Sequence, residues 1–174
     1  MGQGELFALT HEQMERLSAR LGSPEWIEVL NELEEAWPDT KRRPLGKNWN
    51  LIHSCLSDGT CNPTGGDYPL NRCILGGRHL LPPEDGLMAV LVPPNEVEEV
   101  DRALSRLDKN WFRQRYTALF GAEYSGMDLE RDLVELEEIF GDLKAFYRNA
   151  VDSRQAVLFV TDEVLSSVYR PADD

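Results

Sequence analysis

The sequence is poor in the features that usually announce a chemistry. Cysteine is scarce, with only Cys55, Cys61 and Cys73 in 174 residues. A small odd number excludes a complete disulfide framework. Basic charge is scarce too: 18 Lys and Arg stand against 31 Asp and Glu, a net charge of −13. Such an imbalance repels phosphate backbones and anionic lipid, so no nucleic acid and no membrane surface is expected as partner. Long apolar runs are missing. The longest, Leu87 to Pro94, falls far short of the ~20 residues of a spanning helix. Met1 to Glu5 carries no basic n-region and no apolar h-region follows, so no secretory leader is expected. Leu6 stands where a myristoylation signal wants Ser or Thr. Together these absences lead us to expect a reduced, cytoplasmic protein.

Catalytic and metal motifs are absent as well. There is no Ser-His-Asp order, no H-E-x-x-H, and no G-K-[ST] after the Gly-rich stretch. The cysteines with His53 or His79 supply zinc ligand types but not one C-x₂₋₄-C pair, so neither metal nor cofactor is expected. What is present is ordinary for a globular domain: 41% hydrophobic and 28% charged residues. The length suits a single domain over 1–174, with a peripheral tail from about 163.

The charge is uneven. One acidic block runs through Glu25, Glu28, Glu32, Glu34, Glu35 and Asp39, with Lys41, Arg42, Arg43 and Lys47 directly after it. Another runs through Asp128, Glu130, Asp132, Glu135, Glu137, Glu138 and Asp142, relieved only by Arg131. Such runs are solvated helix faces in the plain reading and a surface for a cationic partner in the sharper one.

Hydrophobic spacing places the elements. Gly4 to Leu9 reads as a first strand, and Thr10 to Gln13 has the form of a capping box. Met14, Leu17 and Leu21 step at helical spacing up to Gly22. Ser23-Pro24-Glu25 opens a second helix, capped by Ser23, with Trp26, Val29, Leu30, Leu33 and Trp37 as its stripe and Pro38 as its stop. Thr40 to Gly46 reads as a loop, and Lys47 to Leu56 as a short helix. Dense turn chemistry follows over Ser57 to Asp67, then a short helix from Pro69 closed by a left-handed Gly76-Gly77 stop. Leu87 to Val92 and Ala156 to Val160 are apolar throughout, as strands covered on both faces are, and are expected to be neighbours. Asn95 with Glu98 signals a helix start, and Asp108 begins another helix. Leu129, Leu133, Leu136, Phe140, Leu143, Tyr147 and Ala150 step 4-3-4-3-4-3 along the longest helix. Gly141 inside it suggests a close neighbouring backbone. Asp162 to Asp174 adds a short helix and frays. Few strands with helices clustered between them give an α+β fold, a small sheet covered by several helices.

Two blocks carry a resemblance: Lys47-Asn48-Trp49-Asn50-Leu51-Ile52-His53-Ser54-Cys55-Leu56-Ser57-Asp58-Gly59, and Pro69-Leu70-Asn71-Arg72-Cys73-Ile74-Leu75-Gly76-Gly77. With the apolar strand from Leu87, with Pro94-Asn95-Glu96-Val97 and with Leu143-Lys144-Ala145-Phe146-Tyr147, the chain resembles the YfbM-like family of small bacterial proteins, a domain of unknown function. It departs from that pattern at Ser57-Asp58-Gly59, one residue longer, at Cys73 in place of Ala, and in the loop holding Cys61. The resemblance implies a one-domain cytoplasmic α+β protein and no particular activity.

Candidate residues gather around the Gly-rich loop. His53 lies one helical turn from Trp49, on the apolar side, where it is either a satisfied core residue or a pocket-lining acid/base. Cys55, two positions on, points about 200° away around the helix and cannot easily serve as its nucleophile. Lys47, Trp49, His53, Asp58, Gly59, Asp67 and Arg72 are the ligand-binding or partner-binding candidates, expected to border one depression. Two functions are open. One is a binding protein, an acidic neutraliser of a basic protein partner or a receiver of a small polar ligand. The other is a small hydrolase or transferase using His53. A solvent-facing His53 favours the second, and a buried one counts against it.

Overall fold

A computed structural model describes residues 2–36, 41–81, 87–125 and 127–162, apart from the side chains at 33, 34 and 36. Expectations resting on Leu33, Glu34, Trp37, Pro38, Asp39 and the tail from 163 lie outside the described residues.

The strands are β1 (Gly4–Leu9), β2 (Arg42–Gly46), β3 (Arg78–His79), β4 (Met88–Val92) and β5 (Ala156–Thr161). The helices are α1 (His11–Ala19), α2 (Glu25–Ala36), α3 (Trp49–Leu56), α4 (Pro94–Leu104), α5 (Lys109–Phe120) and α6 (Asp128–Asp152). The strands form one open antiparallel sheet in the order β2-β1-β5-β4-β3. The fold is α+β. β5 is central, pairing Ala156 with Leu9 on one side and Val157 with Val92 on the other. The two all-apolar stretches are therefore neighbours.

Both faces of the sheet are covered, which is why β4 and β5 show no polar alternation. Leu6, Ala8, Val90, Val92, Val157 and Phe159 meet α3, α4, α5 and α6 on one face. Phe7, Leu9, Ala89, Leu91, Leu158 and Val160 meet Leu17 of α1 and Trp26 and Leu30 of α2 on the other. α6 contributes Leu133, Leu136, Phe140, Leu143, Phe146, Tyr147 and Ala150 to the larger cluster, the stripe read from its spacing. The Thr10–Gln13 capping box forms with both of its hydrogen bonds, and Asp108 caps α5 through Trp111 N–H at 2.7 Å.

Several expectations are corrected. Thr40 to Gly46 is not simply a loop, because Arg42–Gly46 is edge strand β2, paired with β1. Edge strands tolerate Pro and charge, so Pro44 and the two arginines hid it. Arg42 reaches across to Glu5 at 2.6 Å and lies over the Phe7 ring. The third helix starts at Trp49 rather than Lys47. Ser23 does not cap α2 with its side chain; its hydroxyl is buried without a partner. α4 starts at Pro94, one residue before the expected cap Asn95, because Pro is already set for the first helical position. After the turn Leu70–Arg72, Gly76 and Gly77 are not left-handed, since neither has a positive φ. They are small because a Cβ at Gly76 would lie 2.1 Å from the Asn71 carbonyl oxygen, and one at Gly77 2.7 Å from that of Leu91. Gly141 meets no close neighbour, and a Cβ there would find open space.

Candidate functional site

The loop leaving α3 is fastened by its own polar side chains. Asp58 accepts from the Thr60 N–H and hydroxyl, and Asn62 accepts from those of Thr64, two successive Asx turns. The hydrogen bond from the Thr60 hydroxyl is the main cause holding the Asp58 carboxyl below its ordinary range. Gly59 and Gly66 hold positive φ, 89° and 80°, which closes the loop tightly against Leu119 and Ser57. Arg115 of α5 anchors the loop start by donating to the Cys55 and Ser57 carbonyls.

His53 lies beneath this loop at 0% exposure. Its Nε2 meets the Asn62 carbonyl at 3.2 Å, and Nδ1 has no hydrogen-bond partner. Burial pushes its pKa down to about 4, against the opposing pull of the Asn62 carbonyl and Asp58. Trp49 is equally interior: its Nε1 donates to the Gly2 carbonyl, and its ring packs on Phe159 with centroids 5.4 Å apart. The shared helix face of Trp49 and His53 was read correctly, but it faces the core. The expected depression bordered by both is not assembled. Lys47, Asp58 and Asp67 are exposed, and Gly59 is half-buried in the loop. Asp67 uses its backbone carbonyl, not its side chain, to hold Asn71 N–H.

Two of the cysteines, Cys55 and Cys73, are buried. Burial raises the Cys55 thiol to about 12 and pushes Cys73 higher still. Tyr147 donates to the Cys73 carbonyl at 2.7 Å, tying that turn to α6. Among the described residues no group of three or more His, Cys, Asp or Glu is placed to hold a metal ion. No helix among them is long and apolar enough to cross a membrane.

Arg72 opens elsewhere. Its guanidinium donates to the Gly76 carbonyl, lies 3.9 Å from the Glu96 carboxylate, and sits 5.6 Å from the Tyr68 ring centroid. It lines a depression of about 450 Å³ together with Arg78 of β3, Met14 of α1 and Leu91 of β4. Sequence reasoning missed Arg78 and Met14. They lie far apart in the chain, and no local spacing signals their meeting.

The two acidic runs also separate. On α6, Glu130 and Glu137 hold Arg113 at 2.7 Å, Asp142 meets Arg43, Asp132 accepts from Tyr124, and Glu135 accepts from Asn48. On α2, Glu32 pairs with Arg16 of α1 and Glu25 with Arg20 just after it, while Glu28 and Glu35 are exposed and make no ion pair among the described residues. Ile27, beside them, is 52% exposed. Ile27 and Asn31 border a second depression of about 320 Å³ that reaches Pro44 and Val160.

A family model described as "Domain of unknown function (DUF1877)" matches residues 1–160. The crystal structure of YfbM from Escherichia coli, a protein of unknown function, is similar with a TM-score of 0.63 at 21% identity, covering 92% of this chain and 99% of that one. Comparison with curated proteins returns no match. The likeness to YfbM speaks for the fold, and it agrees with the resemblance carried by the five sequence blocks.

Proposed function

This chain belongs to the DUF1877 family, a domain of unknown function, and from that premise we propose that it acts by binding, as an acidic cytoplasmic protein that engages a basic protein partner through α2. One observation carries the reading. Most carboxylates of α6 are engaged by neighbouring side chains, Glu138 being exposed without an ion pair among the described residues, whereas both Glu28 and Glu35, on one side of α2, face solvent without such pairs. In a chain of net charge −13, that face presents uncompensated negative charge next to an exposed apolar residue, Ile27. Acidic residues around an apolar anchor suit a cationic partner, steering its approach and excluding acidic competitors. A neutralising, immunity-like role fits such a surface.

The reading of a hydrolase or transferase built on His53 loses its support. A general base must reach the proton that it takes. His53 is enclosed, its Nε2 bonded to the Asn62 carbonyl, and its low pKa keeps it neutral.

Native co-purification from the host with mass spectrometry tests the proposal. The expected result is a basic protein retained by the wild type and lost by the Glu28→Gln/Glu35→Gln double variant. Retention unchanged in that variant, or a partner set without basic proteins, overturns it.

A further inference from the structure

We propose that the depression between α1, β3 and the start of α4 is a separate binding site, for a small zwitterion bearing an apolar side chain. That chemistry belongs to free amino acids and short peptides. The cavity, about 450 Å³, falls within the size range of small-molecule sites. One of its two cations, Arg78, differs from most arginines of this chain. Most arginines are matched to carboxylates, as in Arg42–Glu5, Arg113–Glu137 and Arg148–Asp101. Arg78 makes no ion pair among the described residues, yet it lines this concavity. Arg72, beside it, is already held by the Gly76 carbonyl, Glu96 and the Tyr68 ring. A guanidinium held in this way loses little freedom when a carboxylate arrives.

The other charges in the wall select the ligand further. Glu15 of α1 and Glu96 of α4 also line the cavity. Glu96 lies near Arg72, and Glu15 contacts the exposed His11 at 3.0 Å. Two guanidiniums and two carboxylates balance. A multiply charged anion such as phosphate meets the carboxylates and the acidic field of the whole chain. A simple amine meets the guanidiniums. A zwitterion can place its carboxylate at Arg78 and Arg72 and its ammonium toward Glu15. Met14, Leu91 and Pro93 supply apolar wall for the side group.

The test is titration of the full chain, followed by amide NMR shifts, with L-leucine, leucyl-leucine, 4-methylpentanoate and inorganic phosphate as probes. Saturable binding of leucine or of the dipeptide is expected, with shifts at Ser18, Arg78 and Leu91. Whichever of the two binds more tightly identifies the source. Arg78→Ala and Glu15→Gln, both at exposed positions and expected to keep the wild-type melting temperature, should each weaken binding about tenfold, the scale of one charge-assisted contact. 4-Methylpentanoate, lacking the ammonium, should bind more weakly and be insensitive to Glu15→Gln. The proposal is overturned by phosphate binding more tightly than leucine, by unchanged affinity in Arg78→Ala, or by no saturable binding of leucine and dipeptide.

Discussion

α2 and α6 read alike in sequence, each an amphipathic helix with a run of acids, yet the fold uses their charges differently. α6 runs through the larger core, and its carboxylates reach cations and donors on neighbouring elements: Arg113 on α5, Arg43 on β2, Asn48 just ahead of α3. Glu137 is almost fully enclosed beneath the Arg113 guanidinium. α2 covers the opposite face of the sheet through Trp26 and Leu30. Its pairs to Arg16 and Arg20 are exposed, as are Glu130–Arg113 and Asp142–Arg43 on α6, and exposed pairs contribute little stability, so the enclosed Glu137 marks the difference. An acidic run whose helix has cations and donors on neighbouring elements within reach becomes bracing, while a run that lacks them on one side stays available to a partner. The difference lies in what surrounds each helix, not in the run itself.

The largest expected effect comes from the packed helix. Leu136→Ala should cost about 2–5 kcal/mol in denaturant unfolding, the usual range for truncating a buried Leu. A loss below about 1 kcal/mol would mean that α6 does not organise the core, and the contrast with α2 would fall.

Acid separates the contributors next. His53 titrates at about 4 when folded, against an ordinary 6.5. Between those values the unfolded chain binds a proton that the folded chain refuses, so stability falls as pH drops from about 6.5 to 4 and levels below. A shift of this size corresponds to about 3 kcal/mol. Glu130 behaves oppositely in origin: the Arg113 hydrogen bond lowers its pKa, so its small contribution is present above 4.5 and is lost as pH falls through the folded value. His53→Asn should therefore flatten the stability profile above pH 4.5 while leaving the loss below it. A profile unchanged in His53→Asn would place the acid sensitivity elsewhere.

Arg113→Ala comes third. It leaves the enclosed Glu137 without its cation, and an abandoned buried charge is destabilising. The melting temperature should fall more than for any single carboxylate substitution on α2. Equality between the two sets would erase the distinction between bracing and free acids.

The frame of this fold was legible in the sequence because it rests on local pattern. All-apolar runs announced β4 and β5, a capping box announced α1, and the 4-3 spacing announced α6. What was not legible depends on partners distant in the chain. β2 hid because Pro44 and two arginines are compatible with an edge strand but do not announce one. Gly76 and Gly77 are dictated by carbonyls that approach them, not by their own conformation, and Gly141 has no such neighbour. The site followed the same rule. Helical spacing put Trp49 and His53 on one face, but spacing is blind to whether a face meets a cleft or a core. Arg72 was singled out from its place beside the loop, while the company it keeps, Arg78 and Met14, is a product of tertiary folding.

The smallest effect on stability and the largest on binding belong to the free face of α2. Glu28→Gln and Glu35→Gln should each change stability by no more than about 0.5 kcal/mol, as surface substitutions do. The direct test of the contrast is an amide NMR titration of the full chain with a lysine-rich peptide at low salt. The account expects saturable shifts at Ile27, Glu28, Asn31 and Glu35, abolished in the Glu28→Gln/Glu35→Gln variant, with α6 silent. Shifts centred on Glu130, Glu135 and Glu138 of α6, surviving in that variant, would contradict it.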